Sequence, residues 1–276
     1  KVNLPVRGVI ENMSWFTGDD GTRYYLFGAG GGQDLADRLE VPLVGQVPLV
    51  PELREGGDEI EAAQKGELPR LITREDLQGD LHMHSQATDG NATIEEMARA
   101  AQQAGLKYIA ITDHSRHLTV AHGLDEKRLA EQIEHIERVN QKLSGITVLK
   151  GIEVDILEDG RLDLPDTILA QLDLVIGAVH SQFRLSRARQ TRRILRAMEA
   201  QYFTLLAHPS GRLLGSRPAY ELDMAAVIAA ARERGCYLEL NSQPQRLDLT
   251  DSHCRLAREQ GVLMSINSDG HRSGDF

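Results

Sequence analysis

Cysteine is scarce in this 276-residue chain. Cys236 and Cys254 are too few for a disulfide framework or an all-cysteine zinc site, and read as reduced thiols suited to a cytoplasmic setting. Apolar runs of about 18 residues are missing, so no membrane-spanning helix is expected. The first residues, Lys1 to Arg7, lack the apolar core of a signal peptide. Basic excess is missing too: 31 Lys and Arg stand against 41 Asp and Glu, for a formal net charge of −10. That excludes a globally basic nucleic-acid clamp. With 41% hydrophobic and 26% charged residues, the composition is that of an ordinary globular protein of one or two domains. Histidine, by contrast, is plentiful: ten are present, several in short motifs beside Asp and Glu.

Organisation changes along the chain. Residues 1–70 alternate short apolar runs with Gly and Pro. Val6–Ile10 and Tyr24–Phe27 read as strands around an Asp19-Asp20-Gly21 turn, Gln33–Leu39 as a helix opened by Gly28–Gly32, and Leu43–Val47 as a further strand. Residues 61–76 are polar and read as a linker. From Leu77 to Phe276 strands and helices alternate. The expected strands are Leu77–Met83, Tyr108–Thr112, Val148–Val154, Leu174–Val179, Phe203–Ala207, Tyr237–Leu240 and Val262–Ile266. Between them, Thr93-Ile-Glu-Glu96 forms a capping box, and Gly105, Gly235 and Gly261 stop helices. Seven βα units predict an α/β protein built as a (βα)7 barrel with helices outside, plus a short α/β N-terminal extension.

In such a barrel chemistry collects at the C-terminal ends of the strands. Those ends carry Asp80-Leu-His82-Met-His84 with Asp89 beyond, Asp113-His114, Glu153, His180, His208 and Asp269-Gly-His271; strand six, ending Glu239-Leu-Asn241, is left aside. His82 and His84 are two apart on a strand, so both imidazoles leave one face. Two nitrogens on one face are half of a tetrahedral metal site, and a carboxylate such as Glu153 bridges two cations while offsetting their repulsion. Imidazole with carboxylate suits Mn, Zn or Fe. Convergence of these side chains on a divalent-metal cluster is therefore expected.

These motifs resemble those of the PHP (polymerase and histidinol phosphatase) superfamily. Asp-Leu-His-Met-His, Ile-Thr-Asp-His-Ser, Gly-Ile-Glu-Val-Asp, Ala-Val-His-Ser, Ala-His-Pro-Ser-Gly and Ser-Asp-Gly-His all carry the likeness. Gly211–Arg217 and Leu238–Leu249 are similar to the PHP domain that ends bacterial family X DNA polymerases, over about residues 71–276. The resemblance implies a distorted seven-stranded barrel and a trinuclear centre. His82, His84, Glu153 and Asp269 would hold the first metal, Glu153, His180 and His208 the second, and Asp89, His114 and His271 the third. It implies hydrolysis of phosphate mono- and diesters, with promiscuous phosphotriester hydrolysis, by a hydroxide shared between metals bridged by Glu153. A nucleic-acid 3′ end is the rival substrate, through 3′–5′ exonuclease or end-processing activity; a non-catalytic metallo-structural or interaction domain is the third reading.

Residues 1–60 are similar to the C-terminal part of Mrp-type P-loop ATPases, on Gly8–Tyr24, Phe27–Gly32, and Val41–Leu49 with Leu53–Gly57. No Gly-Lys-[Ser/Thr] loop and no CxxC occur, so neither nucleotide nor iron–sulfur cluster is expected. Both resemblances cover partial families, which suggests a gene fusion. Residues 1–60 are then expected to complete the barrel, in the same chain or in a homo-oligomer. Unchanged solubility, oligomeric state and activity after deleting them would refute that expectation.

Residues 184–217 hold eight Arg and one acid, Glu199. Arg184, Arg212 and Arg217 follow strands four and five on the metal side and are candidates to grip substrate phosphate. His122, in the loop after His114, is a candidate proton donor to the leaving group.

Overall fold

The computed structural model describes residues 9–17, 22–25, 28–49, 65–66 and 70–276. It divides into two compact units, Lys1–Arg70 and Leu71–Phe276. The expected Asp19-Asp20-Gly21 turn lies outside the described residues, as do residues 6–8 and 26–27 of two expected strands and residues 61–64 and 67–69 of the expected linker.

In the first unit β1 (Val9–Thr17) pairs antiparallel with β2 (Arg23–Tyr24) and parallel with β3 (Leu43–Leu49). Helix α1 (Gly31–Arg38) lies between β2 and β3 in sequence. Its N-terminus, where the glycine run sits, is occupied from within: Gly32 N–H donates to Glu11 Oε1 at 2.7 Å. A side chain at Gly32 would meet Glu11 Cβ at 2.6 Å, so glycine is needed for this approach. The Glu11 carboxylate is the anion that the helix end favours, and its pKa is lowered by Gln46 and by this Gly32 bond.

The second unit is the barrel. Strands β4 (Gly79–Asp80), β5 (Tyr108–Ile111), β6 (Thr147–Asp155), β7 (Leu174–Ala178), β8 (Leu205–Leu206), β9 (Tyr237–Asn241) and β10 (Met264–Asn267) form one parallel sheet in sequential order. Helices α2 (Ile94–Gln103), α3 (Glu126–Asn140), α4 (Asp166–Leu169), α5 (Arg187–Ala197), α6 (Met224–Arg234) and α7 (Asp251–Glu259) fill the connections. Thr93 caps α2 reciprocally with Glu96, as the capping box predicts. Gly235 ends α6 in the left-handed conformation, at φ 71°.

First and last strands meet at the mouth. Met83 bridges Gly270, and His84 N–H donates to Gly270 O at 2.8 Å. Asp80 reinforces the seam by accepting from His82 N–H and Ser268 N–H.

Side chains alternate across each strand. On β6 Ile152 and Val154 pack outward with α3 and α4, while Glu153 points inward. Ala110, Leu174, Ile176, Ala178, Leu205 and Ala207 form a separate apolar cluster inside the barrel. The barrel therefore has an oily floor, and its polar inward residues gather at one end.

Candidate metal centre

All nine expected ligands come together at the C-terminal mouth. Six imidazoles form a continuous chain of contacts. Ring centroids are 5.2 Å apart for His82–His84, 4.3 Å for both His84–His114 and His84–His271, 5.1 Å for His114–His180, 5.5 Å for His180–His208 and 5.8 Å for His208–His82. Glu153 stands among them. Its Oε1 lies 2.9 Å from His208 Nε2, 3.3 Å from His180 Nε2 and 3.4 Å from His82 Nε2; its Oε2 lies 2.9 Å from His114 Nδ1 and 3.6 Å from His84 Nε2. Asp269 Oδ1 lies 3.2 Å from His84 Nε2 and 3.6 Å from His82 Nε2. Asp89 Oδ2 lies 3.3 Å from His114 Nε2 and 3.5 Å from His271 Nε2.

Of these pairs only His208 Nε2 and Glu153 Oε1 are hydrogen-bonded; the others are close without being bonded. His82 Nε2, both ring nitrogens of His84, His114 Nδ1 and Glu153 Oε2 are buried and make no hydrogen bond. Leaving a buried polar atom unpaired costs about 1–3 kcal/mol, so several together need a common partner. Four sets of three or four ligand atoms meet within 4.8 Å of one another: His84, Asp89, His114 and His271; His82, His208 and Asp269; His82, His84 and Glu153; His114, Glu153 and His180. Imidazole nitrogens and carboxylate oxygens at these separations are the donor set that divalent Mn, Fe and Zn take, so the residues fit such ions.

Outer hydrogen bonds fix which nitrogen faces inward. His82 Nδ1–H donates to Glu239 Oε1 at 2.7 Å, His180 Nδ1–H to Asp155 Oδ1 at 3.1 Å, and His271 Nδ1–H to the Asp269 carbonyl at 2.8 Å. In each case Nε2 is left for the interior, the arrangement that orients metal-binding imidazoles. Asp113 plays a different part. It accepts from Ser85 N–H and Oγ–H, from Thr88 Oγ1–H and from Gln132, and so holds the turn that delivers Asp89. Two expected ligands sit in left-handed backbone, His208 at φ 27° and Asp269 at φ 50°. Such strain persists where the surroundings enforce it, typically at functional sites.

Charge follows this geometry. Burial alone would neutralise every imidazole. Glu239, Asp269 and Glu153 reverse that at His82, held well above the usual histidine value. Glu153 and Asp89 push His114 up to about 10, and Glu153 and Asp155 push His180 up to about 9. His84 goes the other way, to about 4, through burial and the neighbouring His114 charge. Burial opposes ionisation of Glu153 and Asp269, yet the surrounding imidazoles hold both well below the usual carboxylate range.

Other sequence candidates are placed differently. Arg184 is exposed. Arg212 binds the backbone of a neighbouring loop, donating to Arg246 O at 2.8 Å and to Leu247 O. Arg217 donates Nε–H to Gly211 O at 3.0 Å and stacks on Phe183, 4.1 Å from the ring centroid. His122 is an exposed loop residue at φ 55° whose carbonyl accepts from Arg128. Two residues escaped the sequence reading. Glu239, fully buried, holds both His82 and, through the His208 N–H at 2.6 Å, the strand-five end. Arg246 places Nε 3.1 Å from Asp269 Oδ2. The alternation of β9 was the available signal for Glu239, since an inward glutamate at a strand end belongs with the other ends. Nothing local marks Arg246.

Fold and site together define a parallel seven-stranded α/β barrel with a cluster of metal-ligand side chains at its mouth. The chain belongs to the PHP family: the profile described as "PHP domain" matches residues 80–243. The profile described as "NUBPL iron-transfer P-loop NTPase" matches residues 1–74. A "DNA polymerase/3'-5' exonuclease PolX" of Bacillus subtilis is 43% identical over 226 residues, covering 82% of this chain; the chain spans only 39% of that protein. A Thermoanaerobacter protein named "Probable phosphatase" is 34% identical over 208 residues, covering 71% of this chain and 80% of its own length. Among solved structures, the "putative histidinol phosphatase" of Listeria monocytogenes shares the fold at a TM-score of 0.60 and 17% identity, covering 72% of this chain and 97% of that one. A Lactococcus lactis histidinol phosphate phosphatase, solved with zinc, L-histidinol and phosphate, does so at 0.51 and 15%, covering 71% and 87%.

Glu239 offers a test of the outer layer. Glu239→Gln keeps its size but removes the charge that holds the His82 Nδ1–H. Affinity for a divalent ion is expected to fall about 10- to 100-fold, read by competition with a calibrated chelator, with circular dichroism unchanged. Wild-type affinity in this variant would contradict the positioning role.

Proposed function

We propose that this protein is a divalent-metal-dependent phosphoesterase acting on phosphate mono- and diesters. The observation that carries the reading is the convergence of imidazole and carboxylate groups at the barrel mouth, where His82 Nε2, both ring nitrogens of His84, His114 Nδ1 and Glu153 Oε2 are buried with no hydrogen-bond partner. In this reading His82, His84, Glu153 and Asp269 hold one ion, Glu153, His180 and His208 a second, and Asp89, His114 and His271 a third. Bound there, divalent Mn, Zn or Fe would neutralise phosphoryl charge and acidify water for attack on phosphorus. The chain's own residues supply the rest. Glu239, Asp155 and the Asp269 carbonyl keep three imidazoles in the ligating tautomer, and the apolar floor closes the pocket from below.

Hydrolysis of a chromogenic phosphate ester, lost on metal stripping and restored by Mn, Zn or Fe, tests the assignment. No turnover with any of these ions, under conditions where the ions bind, would overturn it. The PolX relative motivates adding a single-stranded oligonucleotide to the substrate panel. Faster release of nucleotides than of ester phosphate would move the substrate class to nucleic-acid ends.

Protons compete with the cations. His114 and His180 titrate near about 10 and 9 in the metal-free site, so both carry protons at neutral pH and must lose them to ligate. Metal binding at pH 7 is therefore expected to release protons, and affinity to rise with pH. The stabilisation that these raised pKa values give the metal-free fold has the opposite sense. It is complete below about pH 6.5, the ordinary histidine value, and is lost as pH climbs through about 9 and 10. Calorimetric titration with metal in buffers of different ionisation enthalpy measures the release; a buffer-independent heat at pH 7 would contradict it.

A further inference from the structure

Two of the expected ligands ride on loops, and helix α3 holds both loops. Asp89 lies beyond β4 in a tight turn, and His114 opens the loop that runs from β5 to α3. Arg128, in the first turn of α3, spends its guanidinium on their backbones. Nη2–H donates at 2.6 Å to the carbonyl of Ala87, 41 positions away, and Nη1–H donates to His122 O and, at 3.2 Å, to Gly123 O. One helical turn on, Gln132 Nε2–H donates to Asp113, which also accepts from Ser85 and Thr88. The loops have little slack between these anchors. A side chain at Gly90 would meet His84 O at 2.4 Å, and one at Gly123 would meet Ser115 O at 1.9 Å. Leu124 N–H donates to His114 O at 2.7 Å, and Asn91 N–H to His271 O at 2.8 Å. The other ligands are fixed differently: His82 and His180 by Glu239 and Asp155, and Glu153 by the pairing of β6 on both sides. Arg128 and Gln132 are not part of the apolar core. The buried stripe of α3 is Leu129, Ile133, Ile136 and Val139, whereas Arg128 and Gln132 line a cavity of about 610 Å³ between α2 and α3.

We propose that Arg128 and Gln132 are positioning residues for the third ion site: they clamp the Asp89 turn to the His114 loop, so that both ligands face His271 at once. The proposal rests on the three-ion reading of the cluster. Asp89 Oδ2 stands 3.3 Å from His114 Nε2 and 3.5 Å from His271 Nε2, and the relative position of the two loops sets that meeting. The Asp89 side chain is 35% exposed, so core packing does not hold it. The planar fork of Arg128 reaches carbonyls of both loops together, which the point charge of a lysine does not. Occupancy of the third site is thereby governed from α3, by side chains that bond to no expected ligand side chain. The first and second sites do not depend on the clamp.

Stepwise calorimetric titration of the metal-free full chain with Mn, checked by elemental analysis, reads the sites separately. The step that Asp89→Ala abolishes marks the third site. Arg128→Met is expected to weaken that step about 10- to 100-fold and to leave the other steps within twofold of wild type. Gln132→Met should weaken the same step by less, because Asp113 keeps Ser85 and Thr88. Arg128→Lys should recover part of the loss. Arg138→Met is the control. Arg138 lies on the same helix and lines the same cavity but pairs with Glu134 at 3.6 Å, so its loss should leave every step unchanged. Circular dichroism and the metal-free Tm report the folding of each variant; if Arg128→Met does not fold, Arg128→Lys and Gln132→Met carry the test. A third-site step within twofold of wild type in the folded clamp variants would overturn the proposal, as would equal weakening of all steps or an Asp89→Ala protein that loses none. A wild-type chain that binds no third ion would defeat the three-ion reading and the proposal together. A chain whose third ion depends on Arg128 but which hydrolyses no ester would leave the clamp standing and defeat the phosphoesterase reading instead.

Discussion

Glu153→Ala is expected to lower kcat/KM for a phosphate ester by about 100- to 1,000-fold or more and to strip the centre of metal. One carboxylate faces five imidazoles: His82, His180 and His208 at Oε1, and His84 and His114 at Oε2. It is the one acid common to two of the four convergent sets. Its removal leaves the cations that His114 and His180 become at neutral pH without the one carboxylate that faces both. Two neighbouring ions would lose the group that offsets their repulsion. Glu153→Gln separates charge from shape. The amide fills the same space but carries no charge and turns an N–H2 toward the imidazoles, so it should be nearly as damaging as alanine. The fold is expected to survive both changes, because β6 is paired along its length with β5 and β7 and Glu153 points away from the outer core. Steady-state kinetics with elemental analysis of the same preparations decides the matter. A Glu153→Gln protein with full metal content and wild-type kcat/KM would contradict the bridging role.

Chelation should destabilise the protein as well as silence it. Without cations the site balances itself by protonation, its raised imidazoles facing carboxylates held ionised. The barrel can therefore fold metal-free, but the ligand atoms come from strand ends nearly two hundred residues apart and converge only in the folded chain. Ions that bind the folded state alone stabilise it by mass action, by about 3–4 kcal/mol at 100 to 1,000 times their dissociation constant. For a barrel of this length that corresponds to about 5–15 °C in Tm. Thermal unfolding with and without a chelator, followed by metal add-back, measures it. A Tm that does not move while elemental analysis shows the metal gone would contradict a shared, fold-dependent site.

Much of the barrel was legible because local signals agree with the global pattern. Thr93 with Glu96, Pro165, Gly235 and Gly261 punctuate the helices, and apolar runs of four to six residues mark the strands between them. Strand lengths were less legible. Leu77–Met83 reads as seven residues of strand, yet β4 pairs only over Gly79–Asp80. Beyond it the backbone is bonded by side chains: Leu81 N–H by Asn267 Oδ1 and Met83 N–H by Thr112 Oγ1. A ladder completed by distant side chains has no local signature. The same reason separates the ligands from their supports. His82 with His84 and Asp269 with His271 announce themselves by spacing. Glu239 matters because a residue 157 positions away needs its Nδ1–H accepted, and Arg246 because a loop bends back to Asp269. Arg212 looked like a substrate residue for its charge and location, but its guanidinium is turned onto backbone carbonyls.

Anomalous diffraction from crystals of the protein grown with Mn or Zn tests the central claim most directly. The account predicts metal density inside the pocket, within coordinating distance of Glu153 and of imidazole nitrogens from His82, His180 and His208. Ordered side chains with no metal there at saturating ion, or density only at surface sites away from Glu153, would contradict it.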